Sequence, residues 1–181
     1  DFEEMMSISA NNSGNKLTVS TNLDLDKSSS IWNWIIKTKD KIIKTAEYDD
    51  NCILYLPKNL SQLNFNISYS NLKIGEINVP LKISSSYSDI NVLKNLNKTI
   101  ISSSYGDLNL GNMSNVKINS TYGSFIIGDI DTLNSSTSYC DIKLSNCLFI
   151  QSLSTNYGDI TIQKAGSMKT TASYSDIKIK S

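Results

Sequence analysis

The sequence predicts an all-β protein, a right-handed parallel β-helix (solenoid) with coils of about seventeen to eighteen residues and an irregular N-terminal β cap. The main observation is a tyrosine that opens the same short phrase seven times, with successive tyrosines seventeen or eighteen positions apart. These tyrosines are Tyr69, Tyr87, Tyr105, Tyr122, Tyr139, Tyr157 and Tyr174. Apolar residues also follow every one of them at fixed distances. A repeat this short cannot bury its own apolar face, so consecutive repeats must stack.

Residues 1–61 lie outside this period and are predicted to form the cap and irregular first coils. Residues 16–25 alternate like a strand after a Ser-Gly-Asn turn, and residues 31–36 and 52–56 are further strands. The basic stretch 37–44 is expected to be a solvated hairpin rim. Solenoids need atypical ends to cover the unpaired edge of a terminal coil, and this segment, with both tryptophans, is the candidate.

Residues 62–181 are predicted to form seven solenoid units in one continuous domain. Each unit reads as a strand, a tight Tyr-(Gly/Ser)-Asp turn and a second strand. Residues three and five positions after each tyrosine are apolar in all seven units, from Leu72 and Ile74 to Ile177 and Ile179. The residue between them is mostly polar, which is typical of a half-buried strand. A right-handed winding is expected because parallel crossovers almost always have that hand.

Composition argues against several functions. Acidic and basic residues are equal at 17 each, so no net field attracts nucleic acid. All the basic residues are lysine, and the sequence contains no histidine. It therefore lacks the commonest general base and the planar cation that grips carboxylates and phosphates. We expect a protein that is not an enzyme, with a β-helix carbohydrate-active enzyme as one alternative.

The cysteines and the search for targeting segments give no evidence for a particular function. Cys52, Cys140 and Cys147 form no CxxC pair, and they are expected to be small packing residues without a disulfide framework. No apolar run long enough to cross a bilayer is present, so no transmembrane segment is expected. Because the chain begins without methionine, we expect a mature or trimmed form.

The tyrosine column is the first candidate binding surface, with Tyr87, Tyr105, Tyr122, Tyr139 and Tyr157 as its central members. Strand alternation places each tyrosine on the same side as the inward Leu81 and Ile83 positions. This favours a packed corner ladder whose rings stack for structural reasons. The alternative is an outward strip of rings that stacks on sugars.

An acidic column follows two residues after the tyrosines, and it is the candidate metal site. Its acidic members in the central repeats are Asp89, Asp107, Asp141 and Asp159. Carboxylates stacked at the coil spacing could bind calcium, which takes oxygen ligands. The column is interrupted at Ser124, and Asp in this position of a turn commonly bonds its own backbone N–H groups. We therefore expect turn formation and no cofactor, with calcium as the alternative.

A third column consists of paired polar residues just before each tyrosine. The pairs are Ser84/Ser86, Ser102/Ser104, Asn119/Thr121, Ser136/Ser138, Ser154/Asn156 and Thr171/Ser173. Alternate residues on a flat parallel sheet form a regular grid of hydroxyl groups. We expect a solvated face, with a binder of ice, crystalline polymer or glycan as the alternative.

The phrase at residues 54–60, Leu-Tyr-Leu-Pro-Lys-Asn-Leu, is followed by Leu63 and then by Ser-Ser-Tyr-(Gly/Ser)-Asp-Ile-x-Ile units. This arrangement resembles the adhesin-like, head-type domains of unknown function in bacterial cell-envelope proteins, common in Bacteroidetes and often described as autotransporter-adhesin-like. The resemblance covers about residues 50–181 and implies a right-handed β-helix in an exported protein at the cell surface or in the periplasm, with a lipid anchor as one option. The tyrosine departs from the small residue common before Gly-Asp in that family.

Together these observations predict a non-enzymatic cell-envelope domain that presents a repeat surface to a glycan or to an envelope or matrix protein. No nucleic-acid partner is expected. The oligomeric state is left open. A hydroxyl-grid binder and a carbohydrate-active enzyme remain as alternatives.

Overall fold

The computed structural model describes residues 60–180 in full and, before them, the backbone of five strands. Those five are β1 (Met6–Ser13), β2 (Lys16–Leu23), β3 (Trp32–Thr38), β4 (Lys44–Ala46) and β5 (Asn51–Leu56). The others are β6 (Gln62–Ser68), β7 (Ser70–Ile77), β8 (Leu81–Ser86), β9 (Ile90–Tyr105), β10 (Leu108–Ile127), β11 (Ile130–Thr137), β12 (Cys140–Thr155), β13 (Ile160–Ala172) and β14 (Ile177–Ile179). The described part of the chain holds no helix able to cross a bilayer.

Strands of successive repeats pair in parallel, so the predicted all-β solenoid is confirmed. The register sets each repeat on its equivalent in the next one: Leu72 pairs with Ile90, and Ile90 pairs with Leu108. Repeats of seventeen and of eighteen residues can stack on one another because the pairing register shifts by one residue in the strand segments between the tyrosine corners. Such shifts occur in the β9–β10, β11–β12 and β12–β13 pairs. These irregularities absorb the extra residue and leave the tyrosine corners aligned.

The interior consists of the predicted apolar columns. The residues three and five positions after the first six tyrosines are all at most 2 % exposed, from Leu72 to Ile162. In the last repeat the equivalent Ile177 and Ile179 are 38 % and 51 % exposed. Among the described strands β14 pairs only with β13, which accounts for the greater exposure of these two side chains.

The N-terminal strands pair with the first repeat. β1 and β2 form an antiparallel hairpin, in agreement with the turn predicted between them. β2 then pairs in parallel with β6, and β3 pairs in parallel with β7. The Cys52 side chain, the tryptophan side chains and most of the 37–44 rim lie outside the described residues. The cap boundary and the right-handed winding stay predictions.

Candidate functional site

The seven tyrosines form one continuous row, here called the tyrosine ridge. Neighbouring rings are nearly parallel, with interplanar angles of 3° to 12° and centroid distances of 4.7 to 5.1 Å from Tyr69 to Tyr174. These distances exceed the contact distance of two flat rings, about 3.5–4.0 Å, so the rings are offset as stacked aromatics prefer. The predicted stacking is confirmed.

The predicted burial of the ridge is wrong. The five candidate residues Tyr87, Tyr105, Tyr122, Tyr139 and Tyr157 are 38–51 % exposed, and Tyr174 is 83 % exposed. The rings therefore stand on the outer surface. Because each inner ring is stacked on both faces, the exposed parts of the ridge are ring edges and phenol groups. Among the described residues, a ring face is open to sugar stacking only at the Tyr174 end of the row.

Every tyrosine corner contains one residue with a positive φ. Where Ser or Cys follows the tyrosine, the tyrosine itself has a φ of 51° to 54°, as at Tyr69, Tyr87, Tyr139 and Tyr174. In this form the tyrosine leaves the extended conformation, so strand alternation does not hold at the ring. Where glycine follows, that glycine has a φ of 129° to 148°, as at Gly106, Gly123 and Gly158. In the glycine form the rings are exposed although Tyr105 and Tyr122 still lie in β9 and β10.

The two corner forms fill the same space differently. In the first form the small side chain after tyrosine is buried and donates to a carbonyl two residues earlier: Ser88 Oγ to Ser86 at 2.9 Å, and Cys140 Sγ to Ser138 at 3.0 Å. In the glycine form no side chain fits, since a Cβ at Gly106 would overlap the carbonyl oxygen of Ser88. Both forms place the ring at the same point of the ridge.

The acidic column acts between coils. The N–H of Asp107 donates to Asp89 Oδ1 at 2.8 Å, and the N–H of Ser124 donates to Asp107 Oδ1 at 2.8 Å. The same bonds run from Asp159 to Asp141 and from Asp176 to Asp159. The prediction that each aspartate bonds its own turn is wrong, because the parallel register brings the next coil's N–H closer to the carboxylate.

These bonds use one oxygen of each candidate metal ligand, Asp89, Asp107, Asp141 and Asp159. Residues 60–180 contain no group of three or more His, Cys, Asp or Glu side chains placed to hold a metal ion. The column is a hydrogen-bonded ladder that links successive coils. The expectation of no cofactor, with calcium as the alternative, stays a prediction.

The polar grid lines a shallow groove of about 480 Å³ beside the ridge. Two rows of side chains border it: Ser84, Ser102, Asn119 and Ser136 in one row, and Ser104, Thr121 and Ser138 in the other. Between the rows lies a column of small inward side chains, Ser85, Ser103, Ser120 and Thr137. Every lining residue is an uncharged hydroxyl or amide, so this polar groove combines hydrogen-bond donors and acceptors without charge.

A column of buried hydroxyl groups lies beneath the polar groove. Among the described residues the hydroxyls of Ser85 and Ser103 have no hydrogen-bond partner, whereas Thr137 Oγ1 donates to the carbonyl of Ser154 at 3.1 Å. This column was visible in the sequence as the Ser, Thr or Ala two positions before every tyrosine from Tyr87 onward, whereas Tyr69 has Ile67 there.

The cysteines confirm their predicted packing role where they are described. Cys140 and Cys147 are free and buried. Burial raises the pKa of the Cys140 thiol to about 11, and burial also raises the pKa of Cys147. Both thiols are therefore protonated and weak nucleophiles at neutral pH.

No family model matches the chain, and no curated protein or solved structure matches it. The fold and surface define a parallel β-solenoid with an aromatic ridge, a carboxylate ladder and a polar groove.

Proposed function

We propose that this chain is a non-enzymatic, adhesin-like binding domain of the bacterial cell envelope. It holds an extended glycan or protein segment along the solenoid axis, against the tyrosine ridge. The observation that carries the proposal is the exposure of the ridge, whose five central rings are 38–51 % exposed in an unbroken row.

Exposed aromatic rows are typical of interaction surfaces. Tyrosine is enriched in binding sites because it combines a large apolar body, few rotatable bonds and a hydroxyl group. Ring stacking between coils accounts for the aromatic rings, but it does not require the phenol hydroxyl. A repeat of one phenol per coil fits a partner that is itself extended and periodic.

The non-enzymatic part of the proposal rests on the composition. The whole sequence contains no histidine and no arginine, and both buried thiols in residues 60–180 have raised pKa values. The exported location at the surface or in the periplasm rests on the resemblance to envelope domains. Fractionation of the producing cell with an antibody to this domain tests that location, and recovery in the cytosolic fraction would contradict it.

The binding test is an array of glycans and matrix proteins, probed with and without calcium. Three proteins are compared: the parent, Tyr105→Phe/Tyr122→Phe, and Tyr105→Ala/Tyr122→Ala. We expect a specific hit that weakens with Phe, which keeps the rings but removes two phenols, and disappears with Ala. Circular dichroism and the melting temperature of the Phe variant should match those of the parent.

Phe149→Ala is the matched control, because Phe149 is an exposed aromatic residue on β12 away from the ridge. It should leave the hit unchanged. If no array partner binds the parent, or if the hit survives in both tyrosine variants, the ridge is not the binding surface.

A further inference from the structure

We infer that the polar groove beside the tyrosine ridge is a binding site for an uncharged linear glycan that lies along the solenoid axis. This inference rests on the proposed function and names the ligand class and the site. The groove occupies about 480 Å³ and crosses four successive coils, from Ser84 to Ser138.

The chemistry of the lining favours an uncharged polyhydroxyl ligand. Ser and Thr hydroxyls and the Asn119 amide each both donate and accept hydrogen bonds, as sugar hydroxyls do. Within residues 60–180 no charged side chain lines the groove. Two exposed lysines lie near the first row of the groove: Lys82 on β8 and Lys117 on β10 each stand two positions before a residue of that row. The equivalent residue in the coil between them is Ile100, and in the coil after Lys117 it is Asn134. A charged polymer would therefore meet a cation only at alternate coils.

The geometry favours a linear polymer. Three of the four coils contribute an equivalent pair of side chains, and the first contributes Ser84 alone. Coils are about 4.8 Å apart, so the four coils span about 14 Å. An extended β-linked pyranose chain advances by a similar distance per sugar and can present hydroxyl groups to each coil in turn. The sheet uses its own backbone groups for strand pairing, which leaves recognition to these side chains.

The tyrosine ridge runs along one flank of the groove, next to its second row in the chain. Each ring follows the second row of the groove by one residue, as Tyr105 follows Ser104 and Tyr122 follows Thr121. Ring edges and phenol hydroxyls face outward there, because ring faces are occupied by neighbouring rings. The ligand then contacts apolar ring edges on one flank and hydroxyl groups beneath it, a combination typical of sugar-binding sites.

The test replaces one side chain of the groove with a larger, charged one. Asn119 lies in the middle of the first row, paired with Ser102 and Ser136, and Asn119→Lys inserts both bulk and charge. Asn109→Lys is the matched control, because Asn109 is an exposed asparagine of the same strand on a different face. The probes are neutral linear β-glucan, xylan and mannan with their oligosaccharides, and polygalacturonate as the anionic polymer. Affinity electrophoresis and calorimetry measure binding.

We expect a neutral polysaccharide to bind the parent and the Asn109→Lys protein equally, and Asn119→Lys at least tenfold more weakly. Binding of polygalacturonate alone, or of no polysaccharide, overturns the inference, as does full binding by Asn119→Lys. Faceted ice crystals without polysaccharide binding would instead assign the groove to ice. If an array partner requires the tyrosines but not the groove, the proposed function survives and this inference fails.

Discussion

At the scale of single residues, each tyrosine corner contains one residue in a left-handed conformation, and the residue after tyrosine decides which one it is. A glycine takes this conformation itself. With Ser or Cys the tyrosine takes it, and the small side chain turns inward to a carbonyl. Because both forms stack on each other, as Gly106 does on Ser88, they are expected to be exchangeable.

Gly106→Ser tests this exchange. Tyr105 should adopt the positive φ seen at Tyr87, and the new hydroxyl should donate to Ser104. A loss of about 1–2 kcal/mol is expected, the usual cost of a left-handed non-glycine residue. Gly106→Val offers no donor and cannot fit beside Ser88, so it should cost about 3 kcal/mol or more. Urea unfolding measures both, and equal losses would contradict the exchange.

Cys140 leads to a pH-dependent prediction. Burial raises its thiol pKa from 9.0 to about 11 in the folded chain. Its contribution to stability is therefore complete below about pH 9 and is lost as pH rises towards 11. Cys140→Ser, which copies Ser88, should match the parent at neutral pH and become relatively more stable in alkali.

The relative gain should reach on the order of 1 kcal/mol near pH 10. Urea unfolding of both proteins across this range measures it, and Cys147 contributes equally to both curves. Parallel pH profiles for the two proteins would show that the Cys140 thiol does not titrate differently in the folded state.

The tyrosines show where sequence reasoning stops at this scale. The period, the stacking and the small residue after each tyrosine could all be read from the sequence. Ring orientation could not be read from alternation. In the Ser and Cys form the tyrosine leaves the extended conformation, as at Tyr87. In the glycine form the ring is exposed although Tyr105 still lies in β9.

At the scale of elements, each aspartate of the acidic column links two neighbouring coils. The carbonyl of Asp107 accepts from the N–H of Ile90 at 2.9 Å, while its carboxylate accepts from the N–H of Ser124 at 2.8 Å. The sequence showed the column, but its bonding depended on the register between strands, which a single repeat does not reveal. The interior columns needed no such information because period-two alternation alone defines them.

Asp141 separates the ladder role from cation binding. Its Oδ1 accepts from the N–H of Asp159 at 2.8 Å. Asp141→Asn keeps an acceptor oxygen and should change stability by less than about 0.5 kcal/mol, whereas Asp141→Ala should cost about 1 kcal/mol. Melting with and without calcium measures both. A calcium-dependent stabilisation of the parent that Asp141→Asn abolishes would identify a cation site instead.

A larger loss of stability is expected at Ile142, the residue after Asp141, because it belongs to the buried apolar column. Ile142 is fully buried between Phe125 and Ile160, so Ile142→Asn places an amide without partners among apolar side chains. A loss of about 3 kcal/mol or more is expected. Lys143→Asn is the control on the same strand, exposed and expected to change stability by less than about 0.5 kcal/mol. Similar losses at both positions would contradict the alternation.

At the scale of the whole molecule, stability is a sum of contacts between adjacent coils. Each coil packs on the one before and the one after, so a central coil has two neighbours and an end coil has one. β2 and β3 pair with the first repeat strands, while β14 pairs only with β13 among the described strands. The described rod is therefore asymmetric, and its two ends should differ in local stability.

Two equivalent isoleucines measure this gradient, since each stands five residues after a tyrosine. Ile162 is completely buried between Leu144 and Ile179, and Ile162→Ala should cost about 2–5 kcal/mol, as for a cavity in a packed core. Ile179 is 51 % exposed, so Ile179→Ala should cost about 1 kcal/mol or less. Denaturant unfolding compares the two variants, and hydrogen exchange should be fastest at β14. Equal losses of unfolding free energy would mean that another surface, such as a second copy of the chain, covers β14 in solution. The ratio of the two losses therefore measures how far β14 is exposed to solvent.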